Sequence, residues 1–587
     1  MSPVSLSRVH SLGVSSPQEG TGRLKEPGKL KHPIARAFAR DVCAAFLSLL
    51  IVLGTTIVHY GLLSETAWKT PPHYSRDGLI VLTVLHAAAS GDYQPMRSFH
   101  PGNLGMPRRA NWDGWPIYDP WLWKFGGALC HKFGLAVGAN LLLLAAHAAT
   151  ALTMFVCLRL MRCTRLWAAV FAAALGLSPF LFRRGFNQLI MANTCAVPLI
   201  CLAGHRLFRG GLSADGMRDL AFLLPISFGM GGVTPYYSAI YFGLIIAAGI
   251  YDRVRGKGAR KSWPFAACGI AFLLGLIIQL QPTLRHLWNQ GGDFIRLGSA
   301  FPMLSATPAG AGKALAESLG LLGGLAAVLV AGVLVHQARV RGQIRSGWLW
   351  LVALAFIAAF VTGATRIYSV LVLAGCYCFL GLHFSRGDIR LLWLARMLAA
   401  PLVVVAAVLG PVLHREKAKA KARSYGKSSS DAVFVKELEK SLPPDSLVFD
   451  FPALHFPRGV PFLRPALWSA GVRHSFGDLT FQDRKAGENN LAGLPAGEML
   501  QRLEASGFRG VLVYNKEGVW AGEAKRNVDQ FLKAAKSLGL RKLSDTHGDF
   551  VFFFIGTSAR PQTLPPAADR PGSTVRQPNA IVESDDP

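Results

Sequence analysis

The chain has 587 residues, 51% hydrophobic and only 16% charged, with a mean hydropathy of +0.32. Soluble proteins carry about 25% charged residues, so this composition argues against a soluble enzyme and for an integral membrane protein, with several apolar runs reaching the ~20 residues needed to cross a bilayer. The net charge of +28, from 62 basic and 34 acidic residues, is spread between apolar segments; it reads as loops facing anionic lipid and not as a nucleic-acid surface.

Residues 1–40 are rich in Ser, Pro, Gly and Lys/Arg and predict a disordered, basic cytoplasmic tail. The first apolar run, Val42 to Leu63, is too long for a signal-peptide core and is not closed by an A-x-A-like site, so it stays as an anchor with Arg36 and Arg40 inside. A long outer loop, 64–135, follows; within it Ile117–His131 suits a half-span or an interfacial helix with Trp121 and Trp123 at headgroup level. Further spans are predicted at about 136–160, 166–183, 187–208, 219–233, 235–252, 263–281, 315–336, 347–363, 367–384 and 391–413. With the first, that makes about eleven spans in a transmembrane domain covering 41–414. Each predicted inner loop carries arginine or lysine, as the positive-inside rule requires. The basic linker 415–429 runs against the rule, because an odd count puts it outside. Residues 430–557 read as a soluble α/β domain outside the membrane, with helices at Asp431–Leu442, Pro495–Ser506 and Lys525–Leu538. Its strands are predicted at Ser446–Asp450, Gly510–Tyr514 and Phe550–Ile555. Residues 558–587 are Pro-rich, polar and disordered. The fold class is therefore mostly α, a polytopic helical bundle with a small extracytoplasmic α/β domain. None of the nine cysteines lies in 430–557, so no disulfide framework is indicated, and Cys376-Tyr-Cys378 lacks a second pair for zinc.

The outer loop concentrates the chemistry. Asp77 lies about fourteen residues past the first span. The apolar Leu79, Ile80, Leu82, Val84 and Leu85 after it predict a helix along the membrane surface, with Asp77 in the first turn where the dipole favours a carboxylate. The same position suits a helix-capping residue. Asp113 in Asn-Trp-Asp-Gly-Trp-Pro, Asp92 in Ser-Gly-Asp-Tyr and His100 before Pro101-Gly102 combine acid–base side chains with turn signals. Arg183 and Arg184 fall between the third and fourth spans, on the side of the big loop. Their guanidinium forks match phosphate, and they would equally well snorkel to headgroups. Arg366, in a very short outer loop, is a similar case. Tyr236 and Tyr237, after Pro235, suit sugar stacking or interfacial anchoring. His59 and His147 lie inside predicted spans, where polar groups are functional candidates and helix–helix packing is the plainer role. No Walker loop, G-x-G-x-x-G, HExxH or Cys/His metal spacing occurs, so nothing points to ATP, a nicotinamide cofactor or zinc.

One span, a long aspartate-bearing loop, many further spans and a C-terminal α/β domain together resemble the GT-C superfamily of membrane glycosyltransferases. The resemblance covers roughly residues 40–557. It is carried by Arg76-Asp77-Gly78 with Phe99-His100-Pro101-Gly102-Asn103, then by Leu442-Pro443-Pro444-Asp445-Ser446-Leu447-Val448, Gly507-Phe508-Arg509-Gly510-Val511 and Phe552-Phe553-Phe554. The resemblance implies an inverting sugar transfer from a polyprenyl-phosphate donor to a cell-envelope glycan or lipid acceptor, in the bacterial inner membrane with the N-terminus cytoplasmic. Asp77 matches the family's general base, and Asp113 is a second catalytic candidate. Arg183, Arg184 and Arg366 would bind the donor phosphate, with His100, Tyr236 and Tyr237 on the substrate. No cofactor is implied, and the paired Asp-x-Asp or Asp-Glu of some members is absent, so no divalent metal is indicated. A transporter or flippase of a lipid-linked saccharide and a non-catalytic envelope assembly protein are the competing classes. The lack of an internal repeat weighs against the first.

Overall fold

The computed structural model describes residues 31–107, 109–113, 119–208, 216–254, 263–282, 284–285, 365–385, 416–453, 459–477, 491, 494–516 and 522–556. The spans expected at 315–336, 347–363 and 391–413 and the tail 558–587 lie outside these residues. Three described helices are long and apolar enough to cross a membrane, Ala35–His59, Leu135–Leu160 and Arg165–Arg184. Shorter apolar helices occupy Ala196–Leu207, Asp219–Gly231, Tyr236–Ile250 and Trp263–Gln279, and a further helix spans Thr365–Ser385. The expected count of eleven is not reached among the described residues.

The first helix starts at Lys31, inside the stretch expected to be a tail. The span expected at 187–208 is broken. It consists of a 3-10 turn Phe186–Gln188, a short helix Leu189–Ala192 and a helix Ala196–Phe208. The break falls at Asn193-Thr194, whose side chains take local and cross-helix hydrogen bonds: Asn193 Oδ1 accepts from Cys195 Sγ (3.2 Å), and Thr194 Oγ1 pairs with Thr150 Oγ1 (3.0 Å).

The three long helices run up, down and up. At one end Asp41 accepts from Arg159 Nη2 (3.2 Å) and Arg165 Nε (2.6 Å). At the other, the rings of His59 and Tyr60 pack on Phe182 at 4.4 and 5.8 Å. Arg183 and Arg184 therefore emerge at the end where the chain enters the long loop. A tight crossing joins the Gly216–Gly231 and Trp263–Gln279 helices: a Cβ on Gly275 would stand 2.0 Å from the Phe228 carbonyl, and one on Gly231 2.4 Å from that of Phe272. Small residues are what let helix backbones approach this closely.

The long loop folds into a helix Asp77–Ser90, a two-stranded ladder of β1 (Tyr93–Gln94) and β2 (Ser98–Phe99), and a helix Pro120–Phe133. The first of these does not lie on a membrane surface as expected. Leu79, Val81, Leu82, Val84 and Leu85 are all buried, and a helix apolar on every side belongs in a core. In the second helix Trp121 is 60% exposed but Trp123 only 2%, so Trp123 is a core residue and not the headgroup anchor expected of it.

The C-terminal region begins with one helix, Glu416–Ser441, so the expected linker 415–429 is its first half. The sheet has five strands, β3 (Ser446–Phe451), β4 (Val472–His474), β5 (Phe508–Tyr514), β6 (Lys542–Ser544) and β7 (Phe550–Phe554), in the order β4-β3-β5-β7-β6. β3 is parallel to β4 and β5; β7 is antiparallel to β5 and β6. Period-two alternation splits the side chains between two cores. Phe449, Phe451, Val511, Val513 and Phe553 face the helices Ala496–Ala505 and Gly522–Ser537. Val448, Leu512, Tyr514, Phe550 and Phe552 share a core with Leu79, Leu82, Leu85, Trp112 and Trp123 of the long loop. The C-terminal unit, expected to stand separately, thus has one sheet face covered by the loop.

The loop also extends the sheet. On the free edge of β4, His474 N–H donates to the Asn103 carbonyl (2.8 Å), Met106 N–H to the His474 carbonyl (3.0 Å) and Gly105 N–H to the Phe476 carbonyl (3.0 Å). Main-chain pairing of this kind removes the exposed edge. Gly105 makes the turn possible at φ 73°, where an added Cβ would sit 2.4 Å from Ala110 N. A buried ionic cluster holds the other side. Arg464 donates through Nε and Nη2 to both Asp431 oxygens (2.8 Å each) and through Nη1 to Asp549 (2.7 Å). From the loop, the Tyr74 hydroxyl donates to Asp431 Oδ2 (2.8 Å) and accepts from Trp468 Nε1 (2.7 Å). Burial alone would lower the pKa of the Arg464 guanidinium, but the flanking Asp431 and Asp549 carboxylates outweigh it and hold it well above its ordinary value, so it stays charged. Next to it, Asp450 orients the buried His474 (Nδ1–H to Oδ1, 3.1 Å), whose Nε2 meets Ser469 Oγ at 3.0 Å.

Two outcomes follow. Removing one member of a buried ion cluster leaves uncompensated charge and costs about 3–5 kcal/mol. Arg464→Ala should therefore lower the thermal midpoint of the detergent-solubilised protein sharply and open residues 64–113 to protease; an unchanged midpoint would disprove the coupling. Residues 430–557 expressed alone should self-associate through the uncovered sheet face, checked by gel filtration, with a well-behaved monomer as the contrary result.

Candidate functional site

The N-terminus of the Asp77–Ser90 helix is clamped by a closed circuit of hydrogen bonds. His73 Nδ1–H donates to the Ser75 carbonyl (3.1 Å), Asn187 Nδ2–H donates to His73 Nε2 (3.0 Å), and Gly78 N–H donates to Asn187 Oδ1 (3.1 Å). The tautomer follows from the partners. A Cβ on Gly78 would stand 2.8 Å from the His73 carbonyl and 3.0 Å from Asn187 Oδ1, so the clamp needs glycine there. Asp77 is the first helical residue; the capping position is Arg76, whose side chain makes no cap bond. The carboxylate thus takes the favourable end of the helix dipole without serving as a cap. It is exposed and not buried.

Asn187 follows Arg183 and Arg184 by only a few residues, so the clamp brings Asp77 up to the segment carrying both arginines. Arg183 is exposed and Arg184 half-buried. Arg184 bonds Gln188 Oε1 and lies 5.7 Å from the Phe180 ring centroid. Arg366 falls in the first turn of the Thr365–Ser385 helix; its side chain lies outside what the structure describes.

The other loop candidates build the loop itself. Asp113 Oδ1 accepts the Phe99 amide (2.6 Å), and its Oδ2 lies 3.5 Å from His100 Nε2. Asp92 Oδ2 accepts from the Gly102 amide (2.9 Å) and the Ser90 hydroxyl (3.2 Å), the turn role expected of it. His147 Nδ1–H donates to the Gly176 carbonyl (2.7 Å) within the helix bundle, a packing role. Tyr236 packs against the bundle core, while Tyr237 is fully buried.

The buried carboxylate at this end belongs to a residue that no sequence pattern singles out. Asp119 precedes the Pro120–Phe133 helix, its amide donates to the Gly232 carbonyl (2.8 Å), and among the described residues its buried Oδ2 has no hydrogen-bond partner. Burial pushes its carboxyl up to about 8, against the opposing pull of the Thr234 amide. Asp-Pro at a helix start reads as cap and first-turn proline, so no local signal marks Asp119 as more than a cap. Among the described residues no group of three or more His, Cys, Asp or Glu is placed to hold a metal ion.

No protein-family profile matches the chain, and no curated protein does. Among solved structures, ArnT from Cupriavidus metallidurans in the apo state is similar at 14% identity, covering 89% of this chain and 98% of that chain, with a TM-score of 0.43.

The Asp119 environment predicts a pH signature. Its folded-state pKa, about 8, lies above the ordinary aspartate value of 3.8, so folding takes up a proton and stability is lost as pH rises between those values, at up to about 1.4 kcal/mol per pH unit. Asp119→Asn does not titrate. Its thermal midpoint relative to wild type should rise from pH 5 to pH 8, and a constant difference would contradict the burial.

Proposed function

We propose that this protein is an integral membrane glycosyltransferase that moves a sugar from a polyprenyl-phosphate donor to a cell-envelope glycan or lipid acceptor, with inversion at the anomeric carbon. The observation that carries this reading is the Asn187 clamp, which seats a dipole-supported carboxylate, Asp77, beside a segment bearing two arginines. A carboxylate near guanidinium groups is what transfer from a lipid phosphate requires: a proton acceptor on one side and charge stabilisation on the other. Asp77 takes the proton of the acceptor hydroxyl as its oxygen attacks the anomeric carbon. The bond from that carbon to the phosphate oxygen breaks, and the electron pair leaves on the lipid phosphate. That anion is stable, so no strong general acid is needed. Arg183 and Arg184, with Arg366, balance the developing charge, each such donor contributing on the order of 3 kcal/mol. Asp113 and His100 support the acceptor side, and Tyr236 the sugar; Tyr237, expected beside it, is fully buried in the bundle and takes no part. The C-terminal unit shares a core with the long loop, so it holds the loop in shape and orients the acceptor over it. The reaction site faces outward in the bacterial inner membrane.

The test is transfer by full-length protein in nanodiscs, using short-chain polyprenyl-phosphate monosaccharides and an isolated envelope-glycan acceptor. Asp77→Asn should fold and lose at least about 100-fold in kcat; Arg184→Ala should lose about 100-fold. Normal transfer by Asp77→Asn would remove it as the base.

A further inference from the structure

The hydrogen-bond circuit at the start of the Asp77–Ser90 helix closes in one protonation state only. Its two ends are backbone groups whose roles cannot change. The Ser75 carbonyl can only accept, so His73 Nδ1, 3.1 Å away, carries a proton. The Gly78 N–H can only donate, so the Asn187 atom 3.1 Å from it is the amide oxygen. That fixes the other half of the amide. Asn187 Nδ2–H points at His73 Nε2 over 3.0 Å, and Nε2 must accept. His73 is therefore neutral. A proton added at Nε2 would set an N–H against the Asn187 NH2 group. Turning the amide over would set that NH2 group against the Gly78 N–H instead. Neither arrangement closes the circuit, although Gly78 N–H keeps its second acceptor, the Ser75 carbonyl at 3.0 Å.

What the circuit holds is position. His73 and Gly78 lie on the long loop and Asn187 on the Phe186–Gln188 turn, so both Asn187 bonds are cross-ties between the two. Arg76, between the two loop anchors, is held at φ 47° and ψ −130°, a region that non-glycine residues seldom occupy and that persists only where the surroundings impose it. His73 is half-buried, so protons reach it from solvent. Charged and titratable groups come from every element meeting here. The loop brings Arg76 and Asp77, the helix ending at Arg184 brings Arg183 and Arg184, His59 and His147 stand behind Phe182, and Arg464 with Asp431 lies beyond Tyr74.

We propose that His73 and Asn187 are positioning residues for Asp77 and form a proton-controlled latch. The latch is closed while His73 is neutral. It opens as pH falls through the range, roughly pH 5–8, in which histidine changes charge. The sign follows from the bonds: the closed form excludes the second proton, so its stability is present at higher pH and lost as pH falls. Closed, the latch seats Asp77 beside the arginine-bearing segment; open, it lets the two turns part. The effect on catalysis rests on the sugar-transfer reading above; the proton dependence of the latch does not.

Asn187→Asp reverses the requirement. A carboxylate accepts at both oxygens, from Gly78 N–H and from the Nε2–H of a protonated His73, so this variant closes the latch in acid. Hydrogen–deuterium exchange on full-length protein in nanodiscs, corrected for the intrinsic pH dependence of exchange, reads peptides covering 73–85 and 183–193. In wild type they should exchange about fivefold faster at about pH 5.5 than at about pH 8, the worth of one hydrogen bond. In Asn187→Asp the order should reverse, and in His73→Ala the two rates should agree. If Asn187→Asp does not fold, wild type against His73→Ala decides. Equal wild-type rates at both pH values, or an unreversed order in folded Asn187→Asp, overturn the latch. In the transfer assay, wild-type kcat should fall over the same range with KM nearly unchanged, while Asn187→Asp holds its kcat further into acid. Reversed exchange in a protein that transfers no sugar keeps the latch and defeats the transfer reading. Sugar transfer with pH-independent exchange does the opposite.

Discussion

The fold depends on one burial problem. The C-terminal sheet is apolar on both faces, and its own helices, Ala496–Ala505 and Gly522–Ser537, cover only the face of Phe449, Val511, Val513 and Phe553. The opposite face, with Leu512, Phe550 and Phe552, is closed by the Glu416–Ser441 helix, whose Phe434 ring stacks 6.3 Å from that of Phe550, together with the long loop. Burying those rings draws a segment more than 300 residues away in sequence onto the sheet, and the Asn103–Met106 edge pairing sets its register. The Arg464 cluster adds direction, since a buried guanidinium with three carboxylate bonds tolerates only one placement of Tyr74 and Asp431.

The docking also shapes the candidate site. With the Asp77–Ser90 helix fixed beneath the sheet, its N-terminus meets the Phe186–Gln188 turn, and the His73–Asn187–Gly78 circuit closes the joint. The Pro120–Phe133 helix, packed on the same core, presents Asp119 to the Gly231–Thr234 turn. That turn exists where it does because Gly231 and Gly275 let two helices cross closely. Two carboxylates of one loop thereby occupy opposite environments, Asp77 open to solvent near the arginine-bearing segment and Asp119 buried against the Gly231–Thr234 turn. Environment, not residue type, separates their chemistry.

Much of this architecture is legible in the sequence. The apolar runs mark the helices Ala35–His59 and Leu135–Leu160 because only length and hydropathy are needed. The continuous runs Gly-Val-Leu-Val-Tyr and Phe-Val-Phe-Phe-Phe announce strands buried on both faces, and Asp77 falls in a first helical turn as its flanking pattern implies. The misses share a cause. The Asp77–Ser90 helix reads as interfacial because periodicity reports that a helix is apolar without naming what covers it, and Trp123 reads as a headgroup anchor for the same reason.

Local chemistry, carried by neighbours a few positions apart, was thus enough to declare a membrane protein with an apolar α/β appendage and a loop rich in acid–base side chains. It placed Arg183 and Arg184 at the loop's end of the bundle, where the alternation of three helices puts them. What it lacked was any account of long-range partners. Whether an aspartate stands open at a helix start or is buried depends on groups such as Asn187, Gly232 and Thr234, which approach only once the loop is pressed between sheet and bundle. Desolvation is a property of that enclosure, so the distinction between Asp77 and Asp119 arises in three dimensions and has no counterpart along the chain.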